Sequence, residues 1–471
     1  MNSAVKTDDD RERPAQRSAW AWWWYLGNGA ALVTLVLVPV WIKTALHQFH
    51  NYDLGIMAQA LHRIRSGNLN PFLPGLNLPL FNDHFDPIVV LFAPLSRLLE
   101  PAYAALTVEH VLILLSPLPV ILLCRKQADQ LWFACFATSY LLFNRGIVSA
   151  LSYPVHPTTW AALFAVILAA AVAARRFALA TLAAVLLMGC KEEFPFVVAL
   201  LGLCLLLRKE RKAGSAMLIL ACAWCIAAFA LRPMLVGETH DYAGRVLRPI
   251  LTHPIETLGR RLREGEGIRR FVLCILPLLP LALWLRKSRS SPDWTILAAV
   301  TPLLAIRFLD GAWKFHYMAP VAALILFTFW RREEARALPR RYAIAAAVIA
   351  IFTSIGPLAE TVSVYASAPE LRGPHRAALD EAMTILRRNP GGKALVEGNL
   401  TPLLAARPDV FQIGGPQPLQ DYRFLMAEKP PAGDPWPLKP SDILRLIETW
   451  RQDSSLRILR DDAFVFLAEK R

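Results

Sequence analysis

Apolar residues in this chain come in long runs, and short polar clusters separate them. Runs of roughly 17–25 residues recur among them, and a run of that length can cross ~30 Å of hydrocarbon. They predict membrane-spanning helices near 23–46, 101–123, 130–143, 157–174, 177–190, 194–207, 214–236, 269–285, 294–309, 316–330 and 342–358, about eleven in all. Lys and Arg gather between alternate runs: Arg11, Arg13 and Arg17; Arg125 and Lys126; Arg175 and Arg176; Arg208 to Lys212; Arg286 to Arg289; Arg331 to Arg341. Cytoplasmic loops carry such clusters, so the alternation predicts a cytoplasmic N-terminus and an outer C-terminus in an inner membrane. Residues 1–18 then form a disordered cytoplasmic tail and 19–360 the membrane domain, with external loops at 47–86 and 237–268.

Two stretches need a decision. Residues 177–207 could form one helix, but at 1.5 Å per residue it would run ~46 Å, longer than a bilayer core. A hairpin with Lys191 at its tip keeps Arg175–Arg176 and Arg208–Lys212 on one side and is the preferred reading. After the first span, Leu54, Met57, Ala58, Leu61 and Ile64 recur at helical spacing, which predicts a short amphipathic helix along the outer surface.

From 366 the character changes. Strand-length runs at Ala394–Glu397, Val410–Ile413, Tyr422–Ala427 and Ala463–Ala468, with amphipathic helices at 375–388 and 441–451, predict a small extracytoplasmic α/β domain over 366–471. The fold class is thus an α-helical polytopic membrane protein with a C-terminal α/β domain.

Composition agrees: 55% of the residues are hydrophobic, mean hydropathy is +0.37, and only 19% are charged. The net charge of +14 sits largely in the loop clusters and does not call for nucleic acid. Seven cysteines in or beside apolar runs make no disulfide framework, and Cys222-Ala-Trp-Cys225 falls inside a span, where small residues pack between helices. No GxGxxG or GxxxxGK[ST] indicates a nucleotide, and no HExxH a metal.

The candidate chemistry lies in the polar punctuation. Asp53, Asp83, His84, His156, Lys191, Glu192 and Glu193, with Arg307, Asp310, Lys314, His316 and Tyr317, all fall on the predicted outer side. Ionisable groups at membrane depth cost ~2.5 kcal/mol or more by insertion scales, so several on one side suggest one polar chamber. Each also has a plain structural reading: Asp53 as the cap of a helix, His156 before Pro157 as the cap of a span, Lys191–Glu193 as a solvated turn. Asp86 before Pro87 is best read as a helix start. Arg245, Arg248, Arg260, Arg261, Arg263, Arg269 and Arg270 break the charge rule in the external loop. They suit either anionic headgroups or the phosphate of a lipid substrate, because guanidinium binds phosphate oxygens in pairs. Asp53 with Asp83 or Glu192 has the chemistry to hold a divalent cation.

In order and spacing, Tyr52-Asp53-Leu54-Gly55, Asp83-His84-Phe85-Asp86-Pro87, His156-Pro157, Lys191-Glu192-Glu193 and His316-Tyr317-Met318-Ala319-Pro320 resemble the domain-of-unknown-function 2079 family of bacterial membrane proteins. One departure is that the acid this family places beside its His-Pro pair is missing from Tyr153 to Thr158. The family is similar in architecture to the GT-C glycosyltransferases, polytopic enzymes with a catalytic acid in the first external loop. That resemblance implies transfer of a sugar from a polyprenyl-phosphate donor to a glycan, lipid or protein acceptor, with Asp53 as general base. It implies a sugar pocket shaped by Asp83, His84, His156 and Glu192, and a leaving phosphate held by Lys191 and the loop arginines. A single acid at Tyr52-Asp53, where many GT-C enzymes carry two, points away from a metal-dependent version. A lipid-linked glycan flippase or a membrane scaffold would also use such a polar chamber.

Overall fold

The computed structural model describes residues 9–47, 52–125, 130–153, 155–237, 251–263, 265–288, 293–310, 315–330, 338–414, 421–430 and 438–471, with a few single positions between 239 and 249. The chain divides into two compact units. The first takes in Met1–Leu35, His110–Ala150 and Pro157–Leu358; the second takes in Val36–Glu109, Leu151–His156 and Ala359–Arg471.

Every predicted span is helical. Among the described residues, five helices are long and apolar enough to cross a membrane: Ala19–Ala45, Pro101–Cys124, Leu131–Ser152, Arg211–Val236 and Gly267–Lys287. A pair bent by 51°, Arg340–Thr353 with Ile355–Arg372, makes a sixth if it counts as one span. The helices Pro157–Ala173, Phe177–Met188, Phe194–Leu207, Trp294–Leu309 and His316–Phe329 are apolar but shorter. Phe177–Met188 and Phe194–Leu207 are separate helices, so the single long helix does not form.

In the first unit, Pro157–Ala173 is buried along nearly its whole length and packs against Phe177–Met188 and Phe315–Leu326. A helix apolar all round belongs in such a position. Phe194–Leu207 and Arg211–Cys225 meet backbone to backbone: a Cβ on Gly214 would stand 2.7 Å from the Gly202 carbonyl oxygen. Small residues give membrane helices this approach, which raises dispersion contact where no hydrophobic drive separates helix from lipid. Leu131–Phe143 ends at Asn144, which is extended; its Nδ2 donates to the Cys274 carbonyl (2.6 Å) and its Oδ1 accepts from the Gly146 N–H (2.9 Å). The aromatic start of the first span is partly exposed, as headgroup residues are, but Trp24 Nε1 reaches Ser139 Oγ at 3.0 Å and Tyr25 donates to the Leu114 carbonyl at 3.0 Å. All seven cysteines are free thiols. The segment read as an external loop at 237–268 carries a helix, Pro254–Arg263.

The second unit contains a five-stranded sheet of β3 (Ala394–Val396), β4 (Val410–Gln412), β5 (Phe424–Glu428), β6 (Leu456–Asp461) and β7 (Val465–Lys470), counting after a two-stranded hairpin of β1 (Phe72–Leu73) and β2 (Leu78–Pro79). The order is β4-β3-β5-β7-β6, with β3 parallel to β4 and β5 and the rest antiparallel. Leu395, Phe411, Leu425 and Phe466 form one cluster with Ile443, Ile447 and Trp450 of the helix Pro440–Gln452. Alternate positions Ala394, Val396, Val410, Phe424 and Met426 are buried too, so the parallel strands are covered on both faces.

The sheet does not stand apart from the chain's beginning. The helix Tyr52–Ile64 is buried from Leu54 to Leu61 and is not the one-sided surface helix the spacing suggested. A Cβ on Gly55 would lie 3.1 Å from Thr401 Cγ2, so glycine here lets the 398–404 segment pack against the helix. Gln59 fills the next turn: its Nε2 donates to the Val410 carbonyl (3.0 Å) and its Oε1 accepts from the Gly75 N–H (3.0 Å). A buried side-chain amide satisfied on both ends accounts for a polar residue in that core.

Candidate functional site

Within the second unit, the chain from Tyr52 turns at once into a helix, so Asp53 sits inside its first turn rather than at its cap. A carboxylate there is favoured by the helix dipole. Asp53 Oδ2 lies 3.3 Å from His156 Nε2; the Asp53 side chain keeps 31% of its surface and His156 12%, so the carboxylate can be reached by a substrate. His156 is held from two sides. Its backbone N–H donates to Glu109 Oε2 at 2.9 Å, and its ring stacks on Tyr153 at 5.7 Å between centroids. Asp83 closes the short helix Leu80–Asp83, with His84 next in extended conformation. Burial first, and then the charges of Asp53 and Asp83, push the Tyr52 hydroxyl up to about 12. One tyrosine thus senses both carboxylates.

The first unit holds the other cluster. Lys191, Glu192, Glu193, Arg307 and His316 are all buried. Lys191 Nζ donates to Tyr317 Oη at 3.0 Å and lies 4.5 Å from the ring centroid. Arg307 stacks on the same ring at 3.7 Å and pairs with Glu193. His316 packs against Tyr317, ring to ring at 4.1 Å. The Lys-Glu-Glu turn is therefore inside the fold, and the plain reading as a solvated tip does not hold. The carboxylate of Glu193 goes to Arg307, while the Lys191 contacts are to a neutral phenol.

Each of these clusters lies within one compact unit. Of the loop arginines, Arg248 is exposed and Arg245 lies outside the described residues. Among the described residues, no three His, Cys, Asp or Glu side chains converge on a metal-sized site.

Glu109 is the residue that the motifs do not reveal. A signal exists: Glu109-His110 is an ionisable pair in the middle of the apolar helix Pro101–Cys124, and such residues in spans are by default functional. Arg307 carries the same signal at the end of Trp294–Asp310.

Apolar helices in this number, with a small mixed sheet towards the end, mark a helical membrane protein, and its fold has a match among solved structures. The chain is similar to the crystal structure of ArnT from Cupriavidus metallidurans bound to undecaprenyl phosphate, at a TM-score of 0.57 and 12% identity over 94% of this chain and 97% of that one. It is also similar to the arabinofuranosyltransferase AftD from Mycobacteria, at a TM-score of 0.42 and 13% identity over 95% of this chain and 40% of that one. Residues 45–245 match the family described as "Predicted membrane protein (DUF2079)", the family the motifs resemble. No curated protein matches the chain.

Proposed function

We propose that the protein is a membrane glycosyltransferase that moves a sugar from a polyprenyl-phosphate donor to an acceptor hydroxyl, with Asp53 as general base. The observation that carries this reading is the Asp53–His156 contact: a reachable carboxylate held 3.3 Å from an imidazole whose own backbone is fixed. In the reaction, Asp53 takes the acceptor proton as the acceptor oxygen bonds to the anomeric carbon. The bond from that carbon to the phosphate oxygen breaks, and polyprenyl phosphate leaves with the electron pair. Lys191, whose buried ammonium meets the Tyr317 hydroxyl, is the cation we assign to the growing negative charge on that phosphate. His156 orients the base, and Asp83, whose charge acts on Tyr52 as that of Asp53 does, shapes the sugar pocket with His84. The active face is the outer side of an inner membrane, with about eleven spans. ArnT, whose fold the chain shares, is known in a form bound to undecaprenyl phosphate, which supports a lipid phosphate as the donor's leaving group.

Asp53→Asn tests the assignment. Asparagine accepts hydrogen bonds at a helix start but cannot take a proton, and loss of a general base typically costs ~10²–10⁴ in rate. The variant should insert normally and lose transfer from a polyprenyl-phosphate sugar by that factor. Full transfer by Asp53→Asn overturns the assignment, and a parent protein that moves lipid-linked sugar without any transfer product is a transporter.

A further inference from the structure

The segment before the span Gly267–Lys287 has a structure of its own. Residues 251–252 and Pro254–Arg263 are helical, and the His253 N–H donates to Pro249 O and the Thr257 N–H to His253 O, each at 2.9 Å, so the helical bonding pattern runs through the junction. One side of this helix is tied to protein: Thr257 is buried with its hydroxyl on Pro249 O (3.0 Å), and Arg261 Nε donates to Leu309 O (3.1 Å). The other side is open among the described residues. Leu251 is 79% exposed and Ile255 87%. The sequence repeats apolar residues at 251, 255, 258 and 262, which at 100° per residue fall within about 60° of one another. Arg260 and Arg263 lie off this stripe and are exposed.

Position decides what meets that stripe. Only residues 264–266 separate Arg263 from the start of the span at Gly267, and three residues reach at most ~10 Å. The helix is therefore held at the edge of the hydrocarbon. A stripe of large apolar residues beside arginines is the composition of a helix that lies in the headgroup layer.

We propose that Pro254–Arg263 is an interfacial helix that docks on the bilayer's own anionic phospholipids. Leu251 and Ile255 enter the acyl boundary, and Arg260 and Arg263 bind headgroup phosphates. Arginine suits this contact because its fork meets phosphate oxygens two at a time. The proposal does not depend on the transfer reading above.

The test uses the full chain in nanodiscs of phosphatidylcholine alone or mixed with phosphatidylglycerol. An environment-sensitive fluorophore on a single cysteine at position 255 should shift its emission to the blue and be quenched by acyl-chain quenchers, more so with phosphatidylglycerol. Arg260→Gln with Arg263→Gln should abolish the difference between the two lipids. Water-like emission in both lipids overturns the proposal. So does a shift that needs added polyprenyl phosphate and ignores phosphatidylglycerol, because the arginines would then serve the donor lipid. Since the cysteine-free background could fail to fold, native mass spectrometry of the unlabelled protein gives a second reading. The parent should retain phosphatidylglycerol and the double arginine variant should lose it; equal retention overturns the proposal.

Discussion

Glu109 Oε2 accepts a hydrogen bond from the His156 backbone N–H at 2.9 Å, and Glu109 is fully buried. The acid missing from the His-Pro segment is thus met by one from the helix Pro101–Leu115. Glu109→Ala leaves that N–H without its acceptor, which costs ~1–3 kcal/mol, whereas Glu109→Gln keeps an oxygen in place. Thermal unfolding in detergent should show a clear loss for alanine and a much smaller one for glutamine. Equal losses would mean that the bond is not what Glu109 provides.

Glu193 and Arg307 form a buried ion pair in the first unit, with side chains only 10% and 3% exposed. Breaking a buried pair by removing one partner costs ~3–5 kcal/mol, since the other charge remains desolvated. Arg307→Met should therefore destabilise strongly, and adding Glu193→Gln should recover much of the loss. If the double variant unfolds no later than the single, the pair is solvated in the protein as it exists.

Tyr52 offers a pH test of the carboxylates beside Asp53. Its hydroxyl is raised from 10.0 to about 12, mainly by burial and then by Asp53 and Asp83. Between these values the unfolded chain has lost the proton and the folded one keeps it, so stability is full below pH 10 and falls as pH rises towards 12. Tyr52→Phe should flatten that decline. Asp53→Asn should lower the tyrosinate midpoint seen in ultraviolet absorbance, because one opposing charge is gone. An unmoved midpoint would show that Asp53 carries no charge near the phenol.

A Cβ on Gly214 would meet the backbone at Gly202 O (2.7 Å) and Leu206 N (2.8 Å) as well as Leu206 Cγ (2.8 Å), so movement of one side chain would not make room for it. Gly214→Ala must push Phe194–Leu207 and Arg211–Cys225 apart, although alanine is the better helix former by ~1 kcal/mol. Overpacking of this kind costs ~1–3 kcal/mol, so the net effect should be a lower unfolding temperature. A rise in that temperature would contradict the close crossing.

Orientation rests on the alternation of basic clusters. Single cysteines at Asp53 and Asp409 should react with a membrane-impermeant thiol reagent added to intact cells, and one at Lys209 should not. Reaction at 209 would reverse the assignment of the Lys191 turn to the outer side.

The apolar helices were legible because each is a continuous apolar run, and the sheet because Ala394–Val396, Val410–Gln412 and Phe424–Glu428 are short apolar runs between polar ones. β6 was missed: Leu456-Arg-Ile-Leu-Arg-Asp461 is an edge strand whose exposed arginines blunt it against pairing, and charge hides a strand from a hydrophobic reading. The burial of Tyr52–Ile64 was illegible for a different reason. Its polar residues, Gln59 above all, read as a wet face, and only a partner far along the chain makes them core. The same holds for Glu109, whose acceptor role depends on a backbone N–H 47 positions away.

That distance has a consequence in time. Gln59 bonds to a carbonyl 351 residues further on. At about 5–20 residues per second a ribosome needs roughly 20–70 s to supply it. Until then the part of the helix that meets Thr401 and Val410 is uncovered, while the part that meets Gly75 and Ser96 is closed early. A nascent chain stopped before the sheet would hold every apolar span and still lack a finished cradle for that carboxylate. The membrane-insertion step and the maturation of the candidate site are thus separate events, and a chaperone that shields Leu54 to Leu61 has that interval in which to act.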